Sequence, residues 1–356
     1  MEFIRNCVYC LFPDFIFQTK GHLMRFLSLS VCLLLFSVML NAQNANTSIP
    51  CAERANKLLN EAIGLMEKHY YRKDSVQWDT LVLAARDRIK QSGNCDDAYD
   101  AVKWCFSQMH ERHSFIMTPV RAAEYNGNIN SGATPRRTTG GIRDELLEKG
   151  IAYIDVPWIS TADETTCTAF ADSLQQVIAK YDEQGVTKWV VDLRRNTGGN
   201  CWPMLAGLGP LLGNGVLGYF VSNDERIAYS YTDGTMYQGK HSRCTVTQAH
   251  NLSNAPRKIV VLTGMNTASA GEIVALAFKG KTDVYLYGEP TAGLTTANAT
   301  YSLSDGSLLV LTVCKEADRN GKICEGRILP DKTIPSNTYG GTDDIKTAAI
   351  MFLELE

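Results

Sequence analysis

The stretch Asn266-Thr267-Ala268-Ser269-Ala270-Gly271-Glu272 joins an apolar run, Lys258 to Thr263, to a run with helical character, Glu272 to Phe278. A serine therefore stands where a strand ends and a helix begins. A hydroxyl placed there projects from a sharp turn. The amide of Ala270 points out of the helix N-terminus, where unpaired N–H groups and the helix dipole favour a developing oxyanion. Serine is also a favoured N-cap residue, so this position by itself suits an ordinary helix start as well as a nucleophile.

A second signal lies upstream. Lys188-Trp189-Val190-Val191-Asp192-Leu193 has the apolar content of a buried strand and runs into Arg194-Arg195-Asn196-Thr197-Gly198-Gly199-Asn200. Paired glycines after a strand let backbone approach a ligand closely, and the N–H groups of Gly198 and Gly199 can complete an oxyanion hole begun by Ala270.

These residues resemble the tail-specific, or C-terminal processing, serine peptidases. The resemblance rests on Asp192-Leu193-Arg194-x-Asn196-x-Gly198-Gly199 and on Thr267-Ala268-Ser269-Ala270-x-Glu272. Gly288-Glu289-x-Thr291-x-Gly293, Leu303-x-Asp305-Gly306-Ser307 and Pro330-Asp331 follow in the same order. In the bacterial processing peptidases a lysine in the Gly-Lys step after the Thr-x-Gly turn is the general base; here the step is Gly293-Leu294. The chain is more similar to the branch that includes the tricorn core protease, which lacks the Ser-Lys dyad and uses a histidine from the N-terminal helical region and a late glutamate.

The resemblance implies three catalytic residues. Ser269 is the nucleophile. His113, in Met109-His110-Glu111-Arg112-His113-Ser114-Phe115, is the base, since imidazole titrates near neutrality and can take and return the serine proton. Glu325, in Ile323-Cys324-Glu325-Gly326-Arg327-Ile328-Leu329-Pro330-Asp331, is the orienting carboxylate, with Glu289 in reserve, because this stretch is one residue shorter than the family's and a one-residue slip in a strand reverses a side chain. Any part for Ser114 is open, since tricorn places its helper serine before the histidine. No cofactor is required. His110 and His113 do not make a His-Glu-x-x-His pattern and have no evident third ligand, so no metal is expected.

Organisation along the chain gives an α/β fold: a β-sheet catalytic core built with crossover helices, preceded by a small N-terminal helical domain and without a PDZ domain. Met24-Arg25, the apolar stretch Phe26 to Leu40 and Asn41-Ala42-Gln43 read as a signal peptide cleaved after Ala42, with residues 1–23 as an upstream extension and translation starting at Met24. Helical spacing recurs in Ala55 to Met66, Trp78 to Ile89 and Tyr99 to Met109, giving a helical domain over 43–117. Residues 118–141, rich in Asn, Gly, Arg and Thr, are expected as a linker or loop, and 142–356 as the α/β peptidase domain with strands and helices alternating. Thr300 to Leu303 and Ser307 to Val313 suggest a hairpin, and Asp343 to Leu355 a closing helix. Only about 35 residues separate Phe115 from Ile151, too few for the PDZ module many relatives insert there.

A net charge of −3 without a basic stripe argues against nucleic acid. The expected location is the periplasm or the exterior, without stable membrane insertion once the signal is removed. Setting aside Cys7, Cys10 and Cys32 leaves eight of the eleven cysteines, an even number in an oxidising context. Cys314 and Cys324 flank a polar turn and are expected to pair, as are Cys51 and Cys95. The expected activity is cleavage of extended polypeptide by an acyl-enzyme route. A non-catalytic binder of lipophilic ligands or peptides on the same fold, or an esterase, remains open; oligomeric state is not legible.

Overall fold

The computed structural model describes residues 51–90, 94, 96–128, 137–223, 225–336 and 342–355. The expected signal segment and Cys95 lie outside them. Among the described residues no helix is long and apolar enough to cross a membrane.

The described residues begin with three helices: α1 (Cys51–His69), α2 (Trp78–Lys90) and α3 (Asp97–Gln108). In α1 the buried positions are Ala55, Leu58, Leu59, Ala62, Ile63 and Met66, the three-to-four spacing of a single apolar stripe. That stripe shares a core with Leu303, Leu309 and Leu311 from the following sheet, so the helices are seated on the strands. Within the stretch expected as loop, Pro119–Tyr125 forms a short helix, α4, with proline in its first turn.

The parallel part of the fold is a six-stranded sheet. Its order is β14 (Lys332–Thr333), β10 (Val284–Gly288), β9 (Lys258–Thr263), β4 (Lys188–Asp192), β3 (Ile151–Asp155) and β2 (Arg143–Leu147). All neighbours are parallel except β2 and β3. Every residue of β9 is buried, as a central parallel strand covered on both faces requires. Helices α5 (Glu164–Asp182), α6 (Cys201–Gly207) and α8 (Ala270–Phe278) cover one face through Ile154, Val191, Ile259 and Val261. Helix α9 (Asp344–Glu354) covers the other through Val190, Val260 and Leu262. After α6 the helix is interrupted at Leu208, and α7 (Gly209–Leu212) begins anew with Pro210 in its first turn.

The second sheet has eight strands, in the order β1 (Phe115–Met117), β12 (Leu308–Ala317), β5 (Gly215–Val221), β6 (Arg226–Thr232), β7 (Thr235–Gln238) and β8 (His241–Thr245), with β11 (Thr296–Ser302) and β13 (Ile323–Cys324) also paired to β12. All its pairs are antiparallel. The expected hairpin is β11–β12, extended by four residues on each strand away from the turn and one residue shorter on each at the turn. The β5–β8 meander was not expected, although Asp233-Gly234 between tyrosine-rich runs is a hairpin signal. Among the described residues no PDZ-like module lies between β1 and β3.

Cys314 and Cys324 carry free thiols, which corrects the expected pairing. The register sets Cys324 opposite Glu316, two residues along β12 from Cys314. Such diagonal neighbours stand about 7–8 Å apart, beyond disulfide reach.

Glu316 is fully buried on β12, and neither of its carboxyl oxygens has a hydrogen-bond partner among the described residues. Burial, and then the nearby Glu272, push its pKa well above the ordinary value of 4.5. A folded pKa above the unfolded one gives stability that is complete below about pH 4.5 and is lost as pH rises. The stability of Glu316→Gln relative to the unsubstituted protein should therefore grow as pH climbs from 4.5 towards 8, measured by urea unfolding at several pH values. Parallel curves for the two proteins would show that Glu316 ionises in the folded state as freely as in the unfolded.

Candidate active site

Ser269 sits between β9 and α8 at φ 52°, ψ −118°, a backbone region that a non-glycine residue occupies only under constraint. The constraint comes from its neighbours. Thr267 Oγ1 donates to Leu193 O at 2.9 Å and accepts from Gly264 N–H at 3.0 Å, tying the turn to the end of β4. The Ala268 N–H donates to Asn196 O at 3.0 Å. Glu272 accepts from the Ser269 N–H at 2.9 Å as half of a capping box.

The serine hydroxyl does more than cap α8. Ser269 Oγ lies 2.7 Å from His113 Nε2, so the structure brings together two residues separated by 156 positions. His113 follows α3 and precedes β1. Its segment is held by Glu111, whose carboxylate accepts from the His113 N–H at 2.7 Å and the Ser114 N–H at 3.0 Å. The His113 carbonyl accepts from Asn298 Nδ2 at 3.0 Å. Ser114 is structural: its hydroxyl donates to Thr312 Oγ1 at 3.1 Å and accepts from the Thr312 N–H at 2.9 Å, stitching the segment to β12.

His113 Nδ1 lies 2.8 Å from Thr296 Oγ1 at the start of β11. Sequence reasoning missed Thr296, which is 183 positions from the histidine and carries no charge to mark it. Neither expected carboxylate reaches the imidazole. Glu325 is exposed and pairs with Lys315 of β12. Glu289 accepts from the Ser336 N–H and hydroxyl at 3.1 and 3.0 Å. With no ionised partner on Nδ1, burial dominates and pulls the His113 pKa down to about 4, against the smaller upward pull of Glu111.

Gly198 and Gly199 both have positive φ, 103° and 106°. A Cβ on Gly198 would stand 2.9 Å from Ser269 Cβ, and one on Gly199 would stand 1.9 Å from Ile159 O, so only glycine fits at either position. The Gly198 N–H is committed to Asn196 Oδ1 at 3.0 Å, which corrects its expected part as an oxyanion donor. Among the described residues no acceptor occupies the N–H of Gly199 or of Ala270. Asn196 is fully buried and its Nδ2 also donates to Val156 O and Pro157 O, at 3.1 and 3.2 Å. It locks the loop against β3.

Glu272 is fully buried and also accepts from Thr291 Oγ1 and from the N–H groups of Gly293 and Leu294, both at 2.8 Å. Burial raises its pKa, opposed by these hydrogen bonds. The cleft at the site encloses about 1090 Å³, and its walls include His113, Gly199, Ser269 and the consecutive β11 residues Thr296 to Thr300. Arg112, Glu164 and Arg243 are the charged residues on its walls besides the histidine. Among the described residues no group of three or more His, Cys, Asp or Glu side chains is disposed to hold a metal ion.

Residues 150–334 match the profile of peptidase family S41. The nisin-resistance protein of Lactococcus lactis subsp. lactis is 31% identical over 285 residues, covering 79% of this chain and 81% of that protein. A carboxyl-terminal-processing protease of a Picosynechococcus species is 29% identical over 204 residues, which span 56% of this chain but only 43% of that protease. Among solved structures, a lipoprotein from Streptococcus agalactiae superposes with TM-score 0.65 at 24% identity over 86% of this chain and 97% of that one. The photosystem II D1 C-terminal processing protease superposes with TM-score 0.51 at 16% identity, over 79% and 93%. These two share the fold. The ordered motifs, the matched profile over more than half of the chain and the fold agree, and the chain belongs to peptidase family S41.

Proposed function

We propose that this chain is an exported serine-type endopeptidase that cleaves extended or unfolded polypeptides through an acyl-enzyme, with a Ser269–His113 dyad in place of a Ser-Lys dyad. The observation that supports this reading most is the 2.7 Å contact between Ser269 Oγ and His113 Nε2 at a strained strand–helix turn. Export is supported by the apolar stretch Phe26 to Leu40 with its cleavage pattern at Ala42. The names of the carboxyl-terminal-processing relatives support a polypeptide substrate.

The chemistry follows from the positions of the atoms. Neutral His113 accepts the Ser269 proton on Nε2 while Oγ attacks the substrate carbonyl. The oxyanion that forms is met by the N–H groups of Gly199 and Ala270, which among the described residues have no other acceptor to abandon. His113 then returns the proton to the leaving amine. Water repeats the sequence to release the acyl group. Thr296 accepts from Nδ1–H and fixes the tautomer that leaves the Nε2 lone pair on Ser269. The outer edge of β11 borders the cleft and offers main-chain groups to an extended substrate strand.

Ser269→Ala should abolish both fluorophosphonate labelling and cleavage of an unfolded protein, while stability moves by no more than about 1 kcal/mol, the worth of an N-cap. A wild-type protein that neither labels nor cleaves, yet binds a lipophilic ligand, would refute the peptidase.

Protonation of His113 removes the base, so kcat/KM should hold from neutral pH downward and fall as pH drops through about 4, where burial has placed the imidazole. An acid limb centred near 6.5 in a stopped assay would show that His113 is solvated in the working enzyme.

Thr296→Val leaves Nδ1–H without an acceptor and frees the ring to turn. It should lower kcat by roughly 10- to 100-fold, while Thr296→Ser stays within about threefold of the unsubstituted enzyme. Equal losses in the two variants would assign Thr296 a packing part only.

A further inference from the structure

Four free thiols, those of Cys167, Cys201, Cys244 and Cys314, face the same cleft as Ser269 and His113, and the peptidase chemistry uses none of them. Two stand on elements that run side by side. Cys167 is in the first turn of α5 and Cys244 is on β8. The residues that follow them touch: Thr168 Oγ1 donates to Thr245 O at 3.4 Å. One turn further along α5, the Asp172 carboxylate accepts from the Thr247 N–H and hydroxyl at 2.7 and 2.6 Å. These two contacts set the register of α5 against the end of β8, and both cysteines turn inward, at 7% and 8% exposure.

Cys167 is also wired to the oxyanion loop. Asn200 Nδ2 donates to Cys167 Sγ at 3.5 Å and to Thr161 O at 3.0 Å. Asn200 follows Gly199 directly. Its N–H closes on Ile159 O at 2.6 Å, and its Oδ1 accepts from the Trp202 N–H at 3.1 Å to cap α6. A displacement of the Cys167 sulfur is therefore felt one residue from the proposed oxyanion donor.

We propose that Cys167 and Cys244 form an oxidisable pair, and that their disulfide switches the cleft to an inactive state by taking the Cys167 sulfur away from Asn200 and clamping α5 to β8. The effect on activity rests on the peptidase reading; the pairing itself does not. The oxidant is a small-molecule disulfide. A thiolate of one cysteine displaces one thiol from it, giving a mixed disulfide. The thiolate of the other then attacks the protein sulfur and releases the second thiol. Two protein thiols become one disulfide, and two electrons and two protons pass to the oxidant.

Burial holds the Cys167 thiol up at about 11, and burial together with the neighbouring Cys167 holds Cys244 up at about 12. Few thiolates exist at neutral pH, so the exchange is slow. It reports the redox state of the surroundings and not transient encounters.

The test incubates reduced protein with oxidised glutathione and reads two quantities: non-reducing peptide maps and cleavage of a fluorogenic peptide. The expected result is a Cys167–Cys244 crosslink with a loss of roughly tenfold or more in kcat/KM, recovered on adding dithiothreitol. In Cys167→Ala and Cys244→Ala, each compared only with itself, the rate before and after glutathione should be the same. A map showing both cysteines as thiols, or either joined to Cys201, overturns the pairing. A crosslink that leaves the rate within twofold overturns the switch. If the reduced wild-type protein neither cleaves nor labels with fluorophosphonate, the peptidase reading and the switch fall together, and the map alone still decides whether the pair exists.

Discussion

The Glu272 carboxylate accepts from the Ser269 N–H, from Thr291 Oγ1 and from the N–H groups of Gly293 and Leu294. These donors lie on two stretches of chain that belong to different sheets. Ser269 and α8 belong to the parallel sheet. Residues 291–294 leave β10 and enter β11 of the antiparallel sheet, two positions before Thr296. One buried group thus fixes both the strained turn that carries Ser269 and the start of the strand that meets His113. Its removal would strand donors in a dry interior, where each costs about 1–3 kcal/mol, so the arrangement is held by penalty as much as by attraction.

The dyad is a contact between the two sheets. Ser269 is held from the parallel sheet through Thr267, Asn196 and Glu272. His113 is held from the antiparallel sheet through Ser114 and Thr312, and through Thr296 and Asn298 of β11. A 2.7 Å separation across such an interface needs close packing, because a shift of one ångström between the sheets would break it. Strand β12 supplies the rigidity. It pairs with β1, β5, β11 and β13, and buries Leu309 and Leu311 under the N-terminal helices. The helical layer therefore contributes to the site by seating the strand against which the histidine segment is laced.

What was legible in the sequence followed from local chemistry. The strand–turn–helix at Ser269, the glycine loop after β4 and the helical stripe of α1 each show as apolar periodicity ended by a turn residue. Strands β6 to β8 of the meander were missed because polar and charged residues interrupt each of them, so no continuous apolar run marks them, and the apolar run of β5, broken by Gly218, had no such partner beside it in the sequence. Thr296 was missed for a different reason. A neutral hydroxyl close to a histidine only after folding leaves no trace in spacing, whereas a glutamate in a conserved-looking stretch draws attention. Glu325 drew it, but its side chain is exposed and pairs with Lys315.

A threonine on Nδ1 changes what the histidine can be. A buried carboxylate there would stabilise the imidazolium and hold the pKa up; a hydroxyl accepts the Nδ1–H and adds no charge. Burial then acts nearly unopposed, and the imidazole rests neutral over a wide pH range, so that in the proposed mechanism it can accept a proton but has less driving force to keep it. In the proposed mechanism the cost falls on the imidazolium formed in the transition state, which must be stabilised from further away. Glu111 is placed for that: its carboxylate accepts from the His113 and Ser114 N–H groups and already pulls the imidazole pKa upward. The charge that a triad keeps against the ring is here held one backbone turn behind it, where it steadies the protonated base and leaves the tautomer to Thr296.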